Sequence, residues 1–298
     1  MMEILSVLGY SFFVMAAGLL YMGIGRKIAA RLHRRYGPPV WQCYIDVVKC
    51  FSRRSISHNF IMDLGSMMGL SGLLAAAMFI PMASFLPFPS QGPIIVILYL
   101  MPIGYLGMAM GVSASGNPLA AIGIGRALTL MMGYEVPFAM IVLTFVASFS
   151  STSLVKLQEL QAGGIMNWHM VTMPIGFAAA LIALMGMLGK KPFDTMIAPS
   201  EIASGPMVEL SGKFLGLAFL QHATAIFVET GLIVLLFLGG GSNFLEFIAK
   251  QAAVYIVMSS LSELWARYRV EQATKFLWIS AGSLALVQLV INMIIGRK

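Results

Sequence analysis

Apolar residues in this chain gather in long runs, and charged residues fall almost entirely between the runs. A bilayer core asks for about 20 consecutive, mostly apolar residues per helix. Eight stretches meet that length or nearly so: 4–24, 64–86, 94–112, 121–148, 168–188, 214–238, 247–264 and 276–295. The pattern predicts an all-α, polytopic membrane protein of about eight transmembrane helices, one transmembrane domain over residues 1–298. Several runs contain Gly and Pro, which membrane helices accept when neighbours satisfy the freed backbone. No internal repeat and no domain-dividing linker is visible.

Composition agrees with this reading. The chain is 59% hydrophobic and 10% charged, where a soluble domain carries about 25% charge; its mean hydropathy is +0.87. A net charge of +7 raises nucleic acid as a partner. The basic residues are confined to alternate loops, however, and membrane topology explains that better. Fourteen of the nineteen lie between runs one and two, five and six, or seven and eight, and Arg126 at the start of run four belongs to the same side; the other four are Lys156, Lys250, Arg297 and Lys298. Basic loops stay inside, so both termini are expected outside a plasma membrane, with cytoplasmic loops at about 26–63 and 189–213. The first run has Glu3 before it and basic residues after it, so it reads as a retained span, not a cleaved signal.

Redox ligands are sparse. Cys43 and Cys50 share one basic loop, form no Cys-x-x-Cys, and fit two reduced cytosolic thiols. Of the histidines, His33, His58, His169 and His222, only His222 sits well inside an apolar run. No catalytic centre, cofactor site or metal site is therefore expected in this chain.

The acids are few and oddly placed. Asp194, Glu201 and Glu209 are three of the twelve, and all lie in the Lys190–Lys213 stretch, which Pro192, Pro199, Gly205 and Pro206 keep from being one helix. Such a stretch handles ions or docks a partner, or else is a solvated loop. Glu135 stands inside a run, in Tyr134-Glu135-Val136-Pro137. An acid there costs about 3 kcal/mol on insertion scales, so it serves either function or a hydrogen bond between helices. His222 and Glu229 are two helical turns apart on one face. A glutamate that alternates between protonated and ionised states can relay protons; His222 alone fits a packed helix residue equally well. In the first loop, Arg35-Tyr36-Gly37-Pro38-Pro39 leads to Asp46 and Lys49 three apart on one helical face. That platform suits a soluble partner, and the loop's other basic residues suit an anionic leaflet.

Four motifs, in order, carry a resemblance. They are Arg35-Tyr-Gly-Pro-Pro with Gln42, Asp46 and Lys49; Asn117-Pro-Leu-Ala with Arg126 and Tyr134-Glu135-Val-Pro; Pro192-Phe-Asp with Glu201, Gly205, Glu209 and Ser211-Gly212; and Arg267-Tyr-Arg269 with Glu271-Gln272. Together they resemble the H subunit of respiratory NADH:quinone oxidoreductase and its relatives, the M-type subunits of energy-converting (group 4) membrane-bound hydrogenases. The resemblance runs from Arg35 to about Trp278. Departures favour the hydrogenase branch: Pro39 in place of the respiratory pattern's polar pair, Ile197 and Pro199 where it has glutamates, and Pro206 after Gly205. Cys43 also replaces a proline often found there.

The resemblance implies a non-redox subunit with tilted helices beneath a peripheral arm of iron–sulfur and large hydrogenase-like subunits, the arm carrying Fe–S clusters and a NiFe-type centre. Antiporter-like membrane subunits and the lipid bilayer are its other partners, with no nucleic acid. It implies coupling of electron transfer to H+ or Na+ movement through Glu135, Glu201 and Glu209. Glu229 and His222 join that path on the reading of the span alone. Asp194 and Lys213 are expected to order the loop, and Arg35, Asp46, Lys49, Arg267 and Arg269 to face the arm. Alternatives are a quinone-site subunit, a sulfur-reducing relative, or, in a different class, a passive anchor or stand-alone ion carrier.

Overall fold

Asn59 and Asn117 show how local chemistry starts the helices. The Asn59 side chain accepts the Met62 N–H at 3.1 Å and opens α3 (Phe60–Ala77). The Asn117 side chain accepts the Leu119 N–H at 2.9 Å and opens α5 (Pro118–Phe149). Pro118 takes the first position of α5, where no amide donor is needed. The computed structural model describes residues 2–57, 59–82 and 92–295. Among them the regular structure is helical, apart from one isolated bridge between Pro93 and Ser153. Arg297, Lys298, His58 and the end of the expected 64–86 run lie outside the described residues.

The remaining helices are α1 (Met2–Leu32), α2 (Gln42–Ser52), α4 (Ile94–Ser113), α6 (Leu154–Leu160), α7 (His169–Thr172), α8 (Pro174–Met187), α9 (Pro199–Ile202), α10 (Lys213–Phe237), α11 (Phe244–Ser262), α12 (Val270–Phe276) and α13 (Ser283–Ile295). A π-helical segment, Leu277–Gly282, joins the last two. Among the described residues, seven helices are long and apolar enough to cross a membrane: α1, α3, α4, α5, α10, α11 and the α12–α13 run. The expected span at 168–188 is broken instead. Pro174 has no N–H to continue a helix, so the chain turns at Met173 and α8 restarts with only 14 residues. α1 and α5, with 31 and 32 residues, are about 46–48 Å long at 1.5 Å per residue. That exceeds a hydrocarbon core of about 30 Å, as in a tilted helix or one that emerges from the bilayer.

Two helices organise the packing. α10 is buried along most of its length and is ringed by α1, α2, α3, α8 and α11. α5 packs against α4, α8, α13 and the π segment. α3 and α4 approach backbone to backbone, because Gly65 and Gly69 face Gly107 and Gly111. A Cβ on Gly107 would collide with the Gly69 backbone. With lipid as apolar as leucine, close approach of small residues replaces the hydrophobic effect as the packing force.

At one end, Gln161 donates to the Leu157 and Leu235 carbonyls and accepts from His169 and Gly239, tying α6 and α7 to the end of α10. Lys250 donates to the Leu238 and Gly240 carbonyls at 2.9 Å. At the other end lie α2, the 189–212 segment and the Arg267–Arg269 turn, with most of the basic residues.

Candidate functional site

The 189–212 segment is packed, not solvated. Phe193 is buried against Tyr268 and Phe276, with ring centroids 6.2 and 6.0 Å away. The Tyr268 N–H donates to the Pro192 carbonyl at 3.0 Å. Pro206, in a 3₁₀ turn at Gly205–Val208, sits against Gly123 of α5. Ala203, Ser204 and Gly205 all have positive φ, a run that only a well-determined surrounding maintains.

This folding places Asp194 at the wall of a cavity of about 240 Å³ beneath the segment. Most of the lining is apolar, from α1, α3, α4, α5, α8 and α10. The polar groups are Arg26, Asp194, Gln221, His222, Tyr105 and Tyr134. Gln221 is held by donation to the Gly104 carbonyl at 2.7 Å. Arg267 donates to Asp194 at 2.7 Å and lies 3.9 Å from Glu201. Arg126 donates to the other Glu201 oxygen at 2.7 Å. Arg126, Glu201, Arg267 and Asp194 thus form a chain of alternating charge from the surface to the cavity wall.

A second cavity, of about 10 Å³, lies deeper, room for about one water molecule. Its walls include Glu135 of α5, Glu229 of α10, Phe138, Met187 and again Tyr105 and Tyr134. Glu229 is 2% exposed, and its Oε2 has no hydrogen-bond partner among the described residues. The Tyr105 hydroxyl donates to the Met187 carbonyl at 2.9 Å. Pro137 lies inside α5 two residues after Glu135, and Gly282 of the π segment packs near it. Pro137 has no amide to give the Gly133 carbonyl, two residues before the acid.

The other expected residues divide. Glu209 is bound by the Asn117 side chain and lines neither cavity. Lys213 reaches Asp63 at 3.4 Å and ties the segment to α3. Arg35, Lys49 and Arg269 are exposed. Asp46 and Arg267, expected to face the arm, are half-buried and paired within the chain, Asp46 with Arg26 at 3.0 Å and Gln42 at 2.9 Å. Partial burial opposes ionisation of Asp46, but the Gln42 and Arg26 hydrogen bonds and the Arg26 and Lys49 charges hold its carboxyl below the usual range. Glu263 behaves alike: burial is outweighed by hydrogen bonds from His33 at 2.8 Å and Lys191 at 3.3 Å. Burial pushes the Cys43 and Cys50 thiols up. Among the described residues, no group of three or more His, Cys, Asp or Glu side chains is placed to hold a metal ion. Sequence reasoning missed Tyr105 and Arg26. Tyr105, a polar tip within an apolar run, was the available signal; Arg26 carried none.

Comparison with known proteins places the chain. The model of the family described as NADH dehydrogenase matches residues 4–293. The chain belongs to the NADH dehydrogenase family. Among family relatives, the H subunit of the F(420)H(2) dehydrogenase of Methanosarcina mazei is 26% identical, over 93% of this chain and 88% of that protein. Hydrogenase-4 component C of Escherichia coli is 32% identical, over 74% of this chain and 71% of its own length. The fold matches a chain of the membrane-bound sulfane sulfur reductase, an archaeal respiratory membrane complex, with a TM-score of 0.93, 34% identity and coverage of 98% and 100%. With its apolar helices, this family membership makes the chain an integral membrane subunit of the oxidoreductase and hydrogenase-like class.

Proposed function

We propose that this chain is the coupling subunit of a hydrogenase-like or sulfur-reducing respiratory membrane complex, without redox chemistry of its own. One observation carries the reading: Tyr105 and Tyr134 line both cavities, so the Asp194 cavity and the Glu135–Glu229 cavity share a wall built from two tyrosines. Electron transfer in a peripheral arm, whose subunits carry the iron–sulfur clusters and a NiFe-type centre, shifts the 189–212 segment or the charge above it. The Arg126–Glu201–Arg267–Asp194 chain transmits that shift to the cavity. Unit charges 4 Å apart interact by about 4 kcal/mol at an effective dielectric of 20, and a tenfold change in protonation needs only about 1.4 kcal/mol. Glu135 and Glu229 then change protonation and bias antiporter-like neighbours that move H+ or Na+. His222 serves the outer cavity and Glu209 the rim. Asp194 and Lys213 order the segment. Arg35 and Arg269 meet the arm, with Asp46 and Arg267 bracing that face from within. The loops of this end are cytoplasmic and the termini outside, following the basic residues.

The test is Glu135→Gln and Glu229→Gln in the assembled complex, reading electron transfer and ion gradient separately in proteoliposomes. The reading predicts electron transfer with a lost gradient; an intact gradient in both variants overturns it and favours a passive anchor.

A second reading, a quinone-site subunit, is favoured by the apolar lining of the larger cavity, the form that suits a lipid-soluble ring. Block of turnover by a quinone-headed inhibitor would support it.

A further inference from the structure

The faces of α2 are sorted into three stripes. Cys43 and Val47 are buried against Leu19 and Ala223. Trp41, Ile45 and Val48, spaced four and three apart, form an exposed apolar stripe. Asp46 and Lys49, continued by Arg53, form a polar stripe between the other two. A short helix with an exposed apolar stripe beside a cationic one lies in a membrane interface, its apolar side toward the acyl chains.

Against that polar stripe runs a surface groove of about 560 Å³, between α2 and the first turns of α10. Its rim carries Lys49, Arg53 and Arg54; its floor includes Leu210, Leu215 and Phe219. Asp46, the groove's one acid, is neutralised by Arg26 at 3.0 Å, and among the described residues the three cations are without an ion-pair partner. Three cations against one acid that Arg26 already pairs, over an apolar floor beside the exposed apolar stripe of α2, match an amphipathic anion.

We propose that the groove binds one anionic phospholipid, its phosphate on Lys49, Arg53 and Arg54 and the start of one acyl chain on Leu215 and Phe219. A soluble anion would leave the floor uncovered, and a zwitterionic lipid would leave the cations uncompensated. This site is independent of the proposed coupling path.

The experiment uses the delipidated, detergent-solubilised complex, titrated with phosphatidylglycerol or phosphatidylcholine and followed by native mass spectrometry. Wild type is compared with the exposed-site variants Arg53→Gln/Arg54→Gln and Lys49→Gln/Arg53→Gln/Arg54→Gln, after matching their thermal stability. Each interfacial cation contributes about fivefold to anionic-lipid affinity, so the triple variant should lose one phosphatidylglycerol per chain with roughly hundredfold weaker binding. Phosphatidylcholine should bind no better to wild type than to the variants. Equal phosphatidylglycerol binding by wild type and triple variant overturns the proposal. So does displacement of the lipid by millimolar inorganic phosphate. Cross-links from Lys49 to an acidic segment of a partner subunit, with loss of that subunit in the triple variant, would give the groove to a protein instead.

Discussion

Tyr105 and Tyr134 meet with ring centroids 6.3 Å apart, at the boundary between the two internal cavities. One comes from α4 and the other from α5, so the junction exists only when those helices are packed together. Both residues line the Asp194 cavity and the Glu135–Glu229 cavity alike.

Tyr134→Phe keeps the ring and removes the hydroxyl. The complex should assemble and transfer electrons normally, while gradient formed per electron falls by about tenfold, the effect of losing roughly 1.4 kcal/mol of charge stabilisation. Tyr105→Phe should add a stability loss of about 1 kcal/mol, because its hydroxyl is hydrogen-bonded to Met187. Paired assays of acceptor reduction and ion uptake in proteoliposomes check both.

Arg267 joins Asp194 to Glu201, and Arg267→Ala leaves Asp194 half-buried without its cation. The expected cost is about 1–3 kcal/mol, between exposed and buried pairs. Faster limited proteolysis within 189–212 should report it. Arg267→Ala combined with Asp194→Ala should lose less than the sum of the two, which a double-mutant cycle measures.

Acid should loosen the basic end of the bundle. Asp46 and Glu263 have folded-state values below their ordinary ones of 3.8 and 4.5. Their contribution is therefore full above those values and is lost as pH falls through the lower, folded ones. Each group is partly exposed, so the loss is about 1 kcal/mol or less per group. Thermal unfolding of the complex between pH 6 and 3 should show the decline, and Asp46→Asn or Glu263→Gln should flatten part of it.

Gly107→Ala tests the packing of α3 on α4. The added methyl has no room beside the Gly69 backbone, so the helices must separate at a cost of about 1–3 kcal/mol. A lower midpoint of thermal unfolding is expected. Gly125→Ala on α5, where nothing lies within 4 Å, should leave the midpoint unchanged or raise it.

Hydropathy along the chain was enough to place seven spans, since a bilayer imposes length and apolarity on each helix separately. It also singled out Glu135 and Glu229, because an acid in an apolar run is conspicuous wherever the helix is later packed. The break at Met173–Pro174 was less legible: apolar composition continues through it, and only the missing amide of Pro174 ends the helix. Tertiary structure alone decided which acids belong together. It set Glu135 and Glu229 around one cavity though 94 positions separate them in sequence. It turned Arg267 and Asp46 inward and left Glu209 with Asn117. The physical reason is that side-chain meetings across helices depend on crossing and rotation of those helices. Small-residue contacts such as Gly65–Gly111 set that geometry, and hydropathy says nothing of it.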